Sequence, residues 1–88
     1  MKTDPDRLLT DVGLRAAEIR AERGWIQQQL ADRLGVTIRY IQRVEAGQAN
    51  LTLRSLAELA NALKITVGDL LTSPRTRRKG PGRPPASK

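Results

Sequence analysis

Arg39, Gln42 and Arg43 fall in one short stretch of this chain, with Ile38 beside them, and these are side chains suited to meeting the edges of nucleic-acid bases. A guanidinium can donate two parallel hydrogen bonds to guanine O6 and N7, a Gln amide can pair in the same two-point way with adenine, and an aliphatic group packs on the thymine methyl. The same residues would equally make an ordinary solvated basic face, which is what most charge clusters are. What separates the two readings is the scaffold that holds them.

That scaffold is legible in the run from Gln27 to Glu45. Leu30, Ala31 and Leu34 share one face of a 3.6-residue helix, and Ile41 and Val44 share one face of the next. Gly35 between them tolerates a positive φ, Val36 offers an apolar plug, and Thr37 suits the cap of the second helix. A turn this short sets two helices at a steep angle over a common core. Small Ala31 lets the helices approach closely. With Ile41 and Val44 inward, Arg39, Gln42 and Arg43 point out and Ile38 lies on the flank.

The flanking segments are also helical. Asp4 and Pro5 have the types favoured at an N-cap and first helical position. Val12, Ala16 and Ile19 give the first helix a buried stripe, and it is expected to run to Arg23 and stop at Gly24. Gly13 within it weakens the early turns. Gly47 is placed to end the helix carrying Arg39, and Gln48, Ala49, Asn50 and Leu51 make a short loop. Thr52 caps a fourth helix whose stripe is Leu53, Leu56, Leu59, Ala60 and Leu63. Thr66 and Asp69 have the spacing of a capping box, with Ile65 and Leu70 as its hydrophobic staple, so a short fifth helix is predicted to end near Leu71.

Composition narrows the class. There is no Phe, and Trp25 and Tyr40 are the only aromatics, so the core is aliphatic. The absence of Cys and His removes disulfides and the usual zinc ligands. No cofactor and no catalytic centre are expected, since the carboxylates read as caps and surface charges and no glycine-rich phosphate loop is present. No apolar run approaches the roughly 18 residues of a membrane span. The net charge of +7 is lopsided: residues 1–72 hold ten basic and nine acidic residues, whereas residues 73–88 hold six basic residues and no acid.

Four segments, VGLRAAEIRAERGW, QQQLADRLGV, TIRYIQRVEAGQANLTLRSLAELANAL and ITVGDLL, resemble in order the phage-repressor-like, Cro-like or XRE-type helix-turn-helix regulators. The resemblance covers about residues 8–72. It implies an all-α fold, a five-helix lambda-repressor-like domain with Gln27–Leu34 as second helix and Thr37–Ala46 as recognition helix. It implies sequence-specific double-stranded DNA binding by a small transcriptional regulator, most often a repressor or autoregulator, in a bacterial cytoplasm and on its nucleoid. By that likeness Ile38, Arg39, Gln42 and Arg43 face bases, and Gln27 holds a phosphate. Arg15 and Glu45 match a pair that often forms a salt bridge between the first and third helices. Ile26 departs from the family's hydroxyl N-cap, Leu51 from a common Pro, and Tyr40 from a small residue.

Further phosphate contacts are expected from Thr37, Gln48, Asn50 and Arg20, and from the Tyr40 hydroxyl unless the ring seals the core edge. Val67, Leu70 and Leu71 offer more apolar surface than a short terminal helix needs. A homodimer through them would read a pseudo-palindromic operator. Residues 73–88, SPRTRRKGPGRPPASK, read as a disordered basic tail. Gly82-Arg83-Pro84 resembles the centre of an AT-hook, with Pro81 where the hook has its first Arg. Arg77, Arg78, Lys79 and Arg83 are thus expected to meet DNA in the minor groove or as a nonspecific polyelectrolyte. Two other functions remain open on sequence alone: an antitoxin or adaptor that uses this fold to hold a protein partner, and a weakly specific nucleoid-associated protein.

Overall fold

Asp4 begins the ordered helices by accepting the Asp6 N–H at 3.0 Å, with Pro5 in the first helical position. A computed structural model describes residues 2–76, and all regular structure among them is helical. The elements are α1 (Pro5–Glu22), α2 (Gln27–Leu34), α3 (Ile38–Glu45), α4 (Leu53–Leu63) and α5 (Val67–Leu70). The all-α, five-helix expectation is met, with every boundary within a residue or two of its sequence signal.

Local chemistry sets those boundaries. Thr37, Thr52 and Thr66 each accept a backbone N–H from the residue three positions on, which satisfies one of the donors a helix leaves unpaired at its start. At α5 the box is reciprocal, because Asp69 also accepts from the Thr66 N–H at 3.1 Å. Those Thr66 bonds, backbone first and hydroxyl second, together with the Arg15 charge, outweigh desolvation and lower the Asp69 pKa. At α2, Ile26 has no acceptor to give, yet Gln29 Oε1 accepts the Ile26 N–H at 2.8 Å and supplies half of a box. The C-termini close by tight reversals. Gly35 takes φ 71 between α2 and α3, and Lys64 takes φ 62 after α4 in spite of its Cβ.

The core lies where the helices converge: Ala16, Leu30, Ala31, Ile41, Leu63 and Leu70 are fully buried, with Ile19, Val44, Leu59 and Ala60 nearly so. Burying an aliphatic side chain of this size contributes about 1.5–3 kcal/mol. Ala31 is as sealed as its expected role required. Trp25, Leu34, Tyr40 and Leu56 close the periphery.

Two expectations about apolar positions are corrected. Leu53 is 83% exposed, because burial along the α4 stripe deepens only from Leu56 onward and the first turn overhangs the core. Leu70 is wholly inside the monomer, so only Leu71, half exposed, and the partly buried Val67 remain for an outside contact.

Gly13 is where α1 meets α3. A Cβ there would stand 2.3 Å from the Val44 carbonyl oxygen and 2.9 Å from that of Glu45. Glycine thus permits the close approach of α1 to the C-terminal end of α3, at a cost in helix propensity of about 1 kcal/mol.

Packing also continues past residue 72. Pro74 is fully buried, Arg75 pairs with Glu22, and the Thr76 N–H donates to Glu18. Arg77, Arg78, Lys79 and Arg83 lie outside the described residues.

Candidate nucleic-acid interface

The wheel of α3 sorts its side chains cleanly. Ile41 and Val44 are buried, whereas Arg39, Gln42 and Arg43 are exposed and Ile38 sits at the margin, 37% exposed. Thr37 fixes the start of the helix by accepting the Tyr40 N–H at 3.1 Å. No side-chain hydrogen bond or ion pair engages Arg39, Gln42 or Arg43 among the described residues, so their donors and acceptors face solvent. Arg39 and Arg43, four residues apart on one helix, put two like charges side by side. That arrangement costs a few tenths of a kcal/mol unless an anion lies across them.

Behind this face the fold ties its carboxylate tightly. Glu45, the last residue of α3, accepts from Arg20 Nε at 2.7 Å, Arg20 Nη2 at 3.1 Å and Gln27 Nε2 at 2.9 Å. The remaining Arg20 nitrogen donates to the Trp25 carbonyl at 2.7 Å. One carboxylate therefore links α1, the first residue of α2 and the end of α3. The side chains are 17% and 7% exposed for Arg20 and Glu45, so water screens the pair only partly.

This geometry corrects the sequence-based pairing. Arg15 does not reach Glu45. It binds Glu18 at 3.3 Å and donates to the Asp69 carbonyl at 3.1 Å, joining α1 to α5. The reason is angular: Arg20 is about 20° from Gly13 around α1, and Arg15 is about 200° from it. Arg20 spends three of its five N–H donors on Glu45 and the Trp25 carbonyl, which ties it into the frame behind α3.

The other expected phosphate contacts are placed as follows. Gln27 stands at the start of α2, half-buried, with one amide N–H on Glu45 and the other uncommitted. Tyr40 is partly buried and packs against the core, and with Leu34, Val36, Val44 and Leu51 it lines a small pocket on that side of α3. Gln48 and Asn50 are exposed in the loop after α3 and make no side-chain hydrogen bond among the described residues. Trp25 and Arg33 form a contact the sequence did not suggest: the guanidinium carbon lies 3.9 Å from the indole centroid. Trp25 precedes α2 and Arg33 is in its last turn, so no spacing within one helix announces them.

No group of three or more His, Cys, Asp or Glu is gathered to hold a metal among the described residues. No helix there is long and apolar enough to cross a membrane.

Comparison with known proteins places this geometry. A family model described as helix-turn-helix matches residues 17–70. An uncharacterized HTH-type transcriptional regulator of Sinorhizobium fredii is 36% identical over 61 residues, covering 69% of this chain and 79% of its own length. Two further curated regulators are matched over little more than half of their length, 57% and 55%. Among solved structures, the restriction-modification controller protein C.AhdI of Aeromonas hydrophila is 37% identical with a TM-score of 0.67, over 70% of this chain and 94% of that one. A hypothetical transcription factor of Neisseria is 28% identical with a TM-score of 0.73, over 90% and 91% of the two chains.

Proposed function

The chain belongs to the helix-turn-helix family, and from that membership we propose that it is a DNA-binding transcriptional regulator whose α3 reads bases in the major groove. The observation that carries this is the face of α3, where Arg39, Gln42 and Arg43 have no partner among the described residues while Ile41 and Val44 anchor the helix from behind. Guanidinium and amide groups kept free on a rigid helix are ready for two-point contacts with guanine and adenine, and Ile38 is placed for a thymine methyl. Gln27, Thr37, Gln48 and Asn50 surround that face and supply phosphate contacts that fix its register without reading sequence. Glu45 sets the tilt of α3 against α1 and α2.

The regulator works as a homodimer. Leu71 and Val67 supply apolar surface for it, and Leu70 is reserved for the monomer core. A two-fold dimer reads a pseudo-palindrome whose half-sites lie about 34 Å apart, and occupying that site represses the adjacent gene, the protein's own among the candidates. Selection of bound sites from random DNA tests the reading. A recovered palindrome with half-sites one helical turn apart is the expected result. Recovery of unrelated sequences, or of A·T richness alone, would count against base reading by α3. Light scattering that found only monomer, with and without the selected DNA, would remove the dimer.

A further inference from the structure

Leu71, Thr72 and Ser73 form an exposed arch between two buried feet. The first foot is Leu70, sealed in the core, and beside it the Asp69 carbonyl accepts from Arg15 Nε at 3.1 Å. The second is Pro74, also fully buried, followed by Arg75 and Thr76. The Glu18 carboxylate, 7% exposed, accepts the backbone N–H groups of Thr76 and Arg75 and the Thr76 hydroxyl. Burial alone would raise the Glu18 pKa, but these hydrogen bonds and the one from Arg15 hold it below its ordinary value. One turn further along α1, Glu22 pairs with Arg75.

One ion pair ties the two feet together. Arg15 and Glu18 are a single turn apart on α1 and meet at 3.3 Å, so the residue that holds the chain before the arch is locked to the residue that holds it after. The arch is also stiffened from within, because Thr72 Oγ1 donates to the Gly68 carbonyl at 3.1 Å and the Leu71 N–H to that of Val67 at 3.2 Å. Arg15, Glu22, Thr72, Ser73 and Arg75 line one shallow hollow, which places the arch against α1. What this frame holds out to solvent is Leu71, half exposed, with the partly buried Val67 one turn before it.

Charge decides what fits there. A two-fold interface lays a patch against its own copy, so an unpaired charge within it would meet its like. The arch carries no charge, and those at its feet are already committed: Asp69 to the Thr66 cap, Arg15 to Glu18 and Arg75 to Glu22. Such a patch suits a second copy of this chain better than a charged partner. It is also small, and a small interface depends on how little ordering remains to be done when it forms.

We infer that Glu18, with Arg15, is a positioning residue for self-association: by fixing both feet of the 71–73 arch to α1 it presents Leu71, preformed, to a second copy of the chain. The inference rests on the homodimer proposed above. It gives the buried carboxylate a task that base reading by α3 does not need.

Sedimentation of the full chain over a concentration series gives the dimer dissociation constant. Titration of one half-site of the sequence recovered from random DNA, which needs a single subunit, reports separately on a folded, base-reading domain. Glu18→Gln keeps the size of the side chain and one acceptor oxygen but loses the ion pair and the full set of hydrogen bonds. It should weaken the dimer about fivefold, and Glu18→Ala about tenfold, both at unchanged half-site affinity. Leu71→Ala should weaken the dimer at least as much as Glu18→Ala. Added to Leu71→Ala, either change at Glu18 should have little further effect, because the arch then has nothing left to present; effects that multiply would mark Glu18 as a merely stabilising residue and overturn the inference. A Glu18→Gln protein that dimerises like the wild type would overturn it too. A wild type monomeric at every concentration, or a dimer indifferent to Leu71→Ala, would remove the proposed dimer face and this inference with it, while base reading by α3 would stand or fall on the half-site titration alone.

Discussion

Two sets of arginines in this small domain have the same chemistry and opposite circumstances. Arg20 has three of its five N–H donors taken, two by Glu45 and one by the Trp25 carbonyl, and is mostly shielded from water. Arg39 and Arg43 are exposed, with no partner among the described residues. The guanidinium fork serves both purposes because it is planar, always charged and able to make two parallel hydrogen bonds at once. What the side chain does is decided by whether the fold has already supplied an anion. Where it has, the arginine holds helices together; where it has not, the guanidinium faces solvent on a rigid helix.

The sharpest way to break that contrast is to remove each set in turn. Replacing Arg39 and Arg43 together by Ala should weaken binding to the selected site by a hundredfold or more, at about 1–3 kcal/mol for each lost two-point contact. Thermal stability should change by no more than about 0.5 kcal/mol, since nothing in the fold depends on them. Calorimetry and a binding titration on the same sample check both halves. The mirror-image result is expected for Arg20→Ala. Leaving Glu45 buried without its main partner should cost about 2–3 kcal/mol of stability in denaturant unfolding, with a smaller loss of affinity that follows the loosened α3.

Smaller changes refine the picture. Gln27→Leu removes one neutral donor from Glu45 and should destabilise by about 1 kcal/mol, again by denaturant unfolding. Arg15→Ala should cost about 0.5 kcal/mol; a loss as large as that of Arg20→Ala would mean that the α1–α3 tie is wrongly assigned here. Acid should act on the carboxylates outside the knot. Glu18 and Asp69 have pKa values lowered in the fold from 4.5 and 3.8. The stability they contribute is therefore complete above those ordinary values and lost as pH falls through the lower, folded ones. Glu18→Gln should accordingly cost most stability in the neutral range, where that contribution is complete, and least in strong acid, so that the acid sensitivity of unfolding below pH 4.5 is reduced.

Most of the helical frame was readable because it is written locally. Asp4, Thr37, Thr52 and Thr66 cap helices within three residues of themselves, and the stripes through Leu30, Ile41 and Leu59 repeat at the helical period. The reading faltered where tertiary placement decides. Leu53 continues the α4 stripe, but no neighbour extends far enough to cover it. The partner of Glu45 depends on where α1 crosses α3, which spacing within α3 does not reveal. One clue lay in Gly13, read only as a weak spot in α1. Taken as a point of close approach, it puts Arg20 on the α3 side and Arg15 on the other. Composition likewise ended the ordered chain at residue 72, because proline and basic residues dominate beyond it, yet Pro74 is buried and Arg75 and Thr76 bond to Glu22 and Glu18 of α1, which composition does not register. The outward face of α3 was legible in full, since exposure follows from the same wheel that buries Ile41 and Val44. That these residues meet bases rests on chemistry and family membership.

The most direct test of base reading is to repeat the selection from random DNA with Arg39→Ala and Arg43→Ala singly, beside the wild type and under one salt concentration. Each substitution should relax the preference at one base position in each half-site, leave the remaining positions and the half-site spacing intact, and cost about 1–3 kcal/mol against the wild-type consensus. A consensus unchanged by either substitution would contradict the account, because the free guanidinium groups on α3 would then not be what reads the sequence.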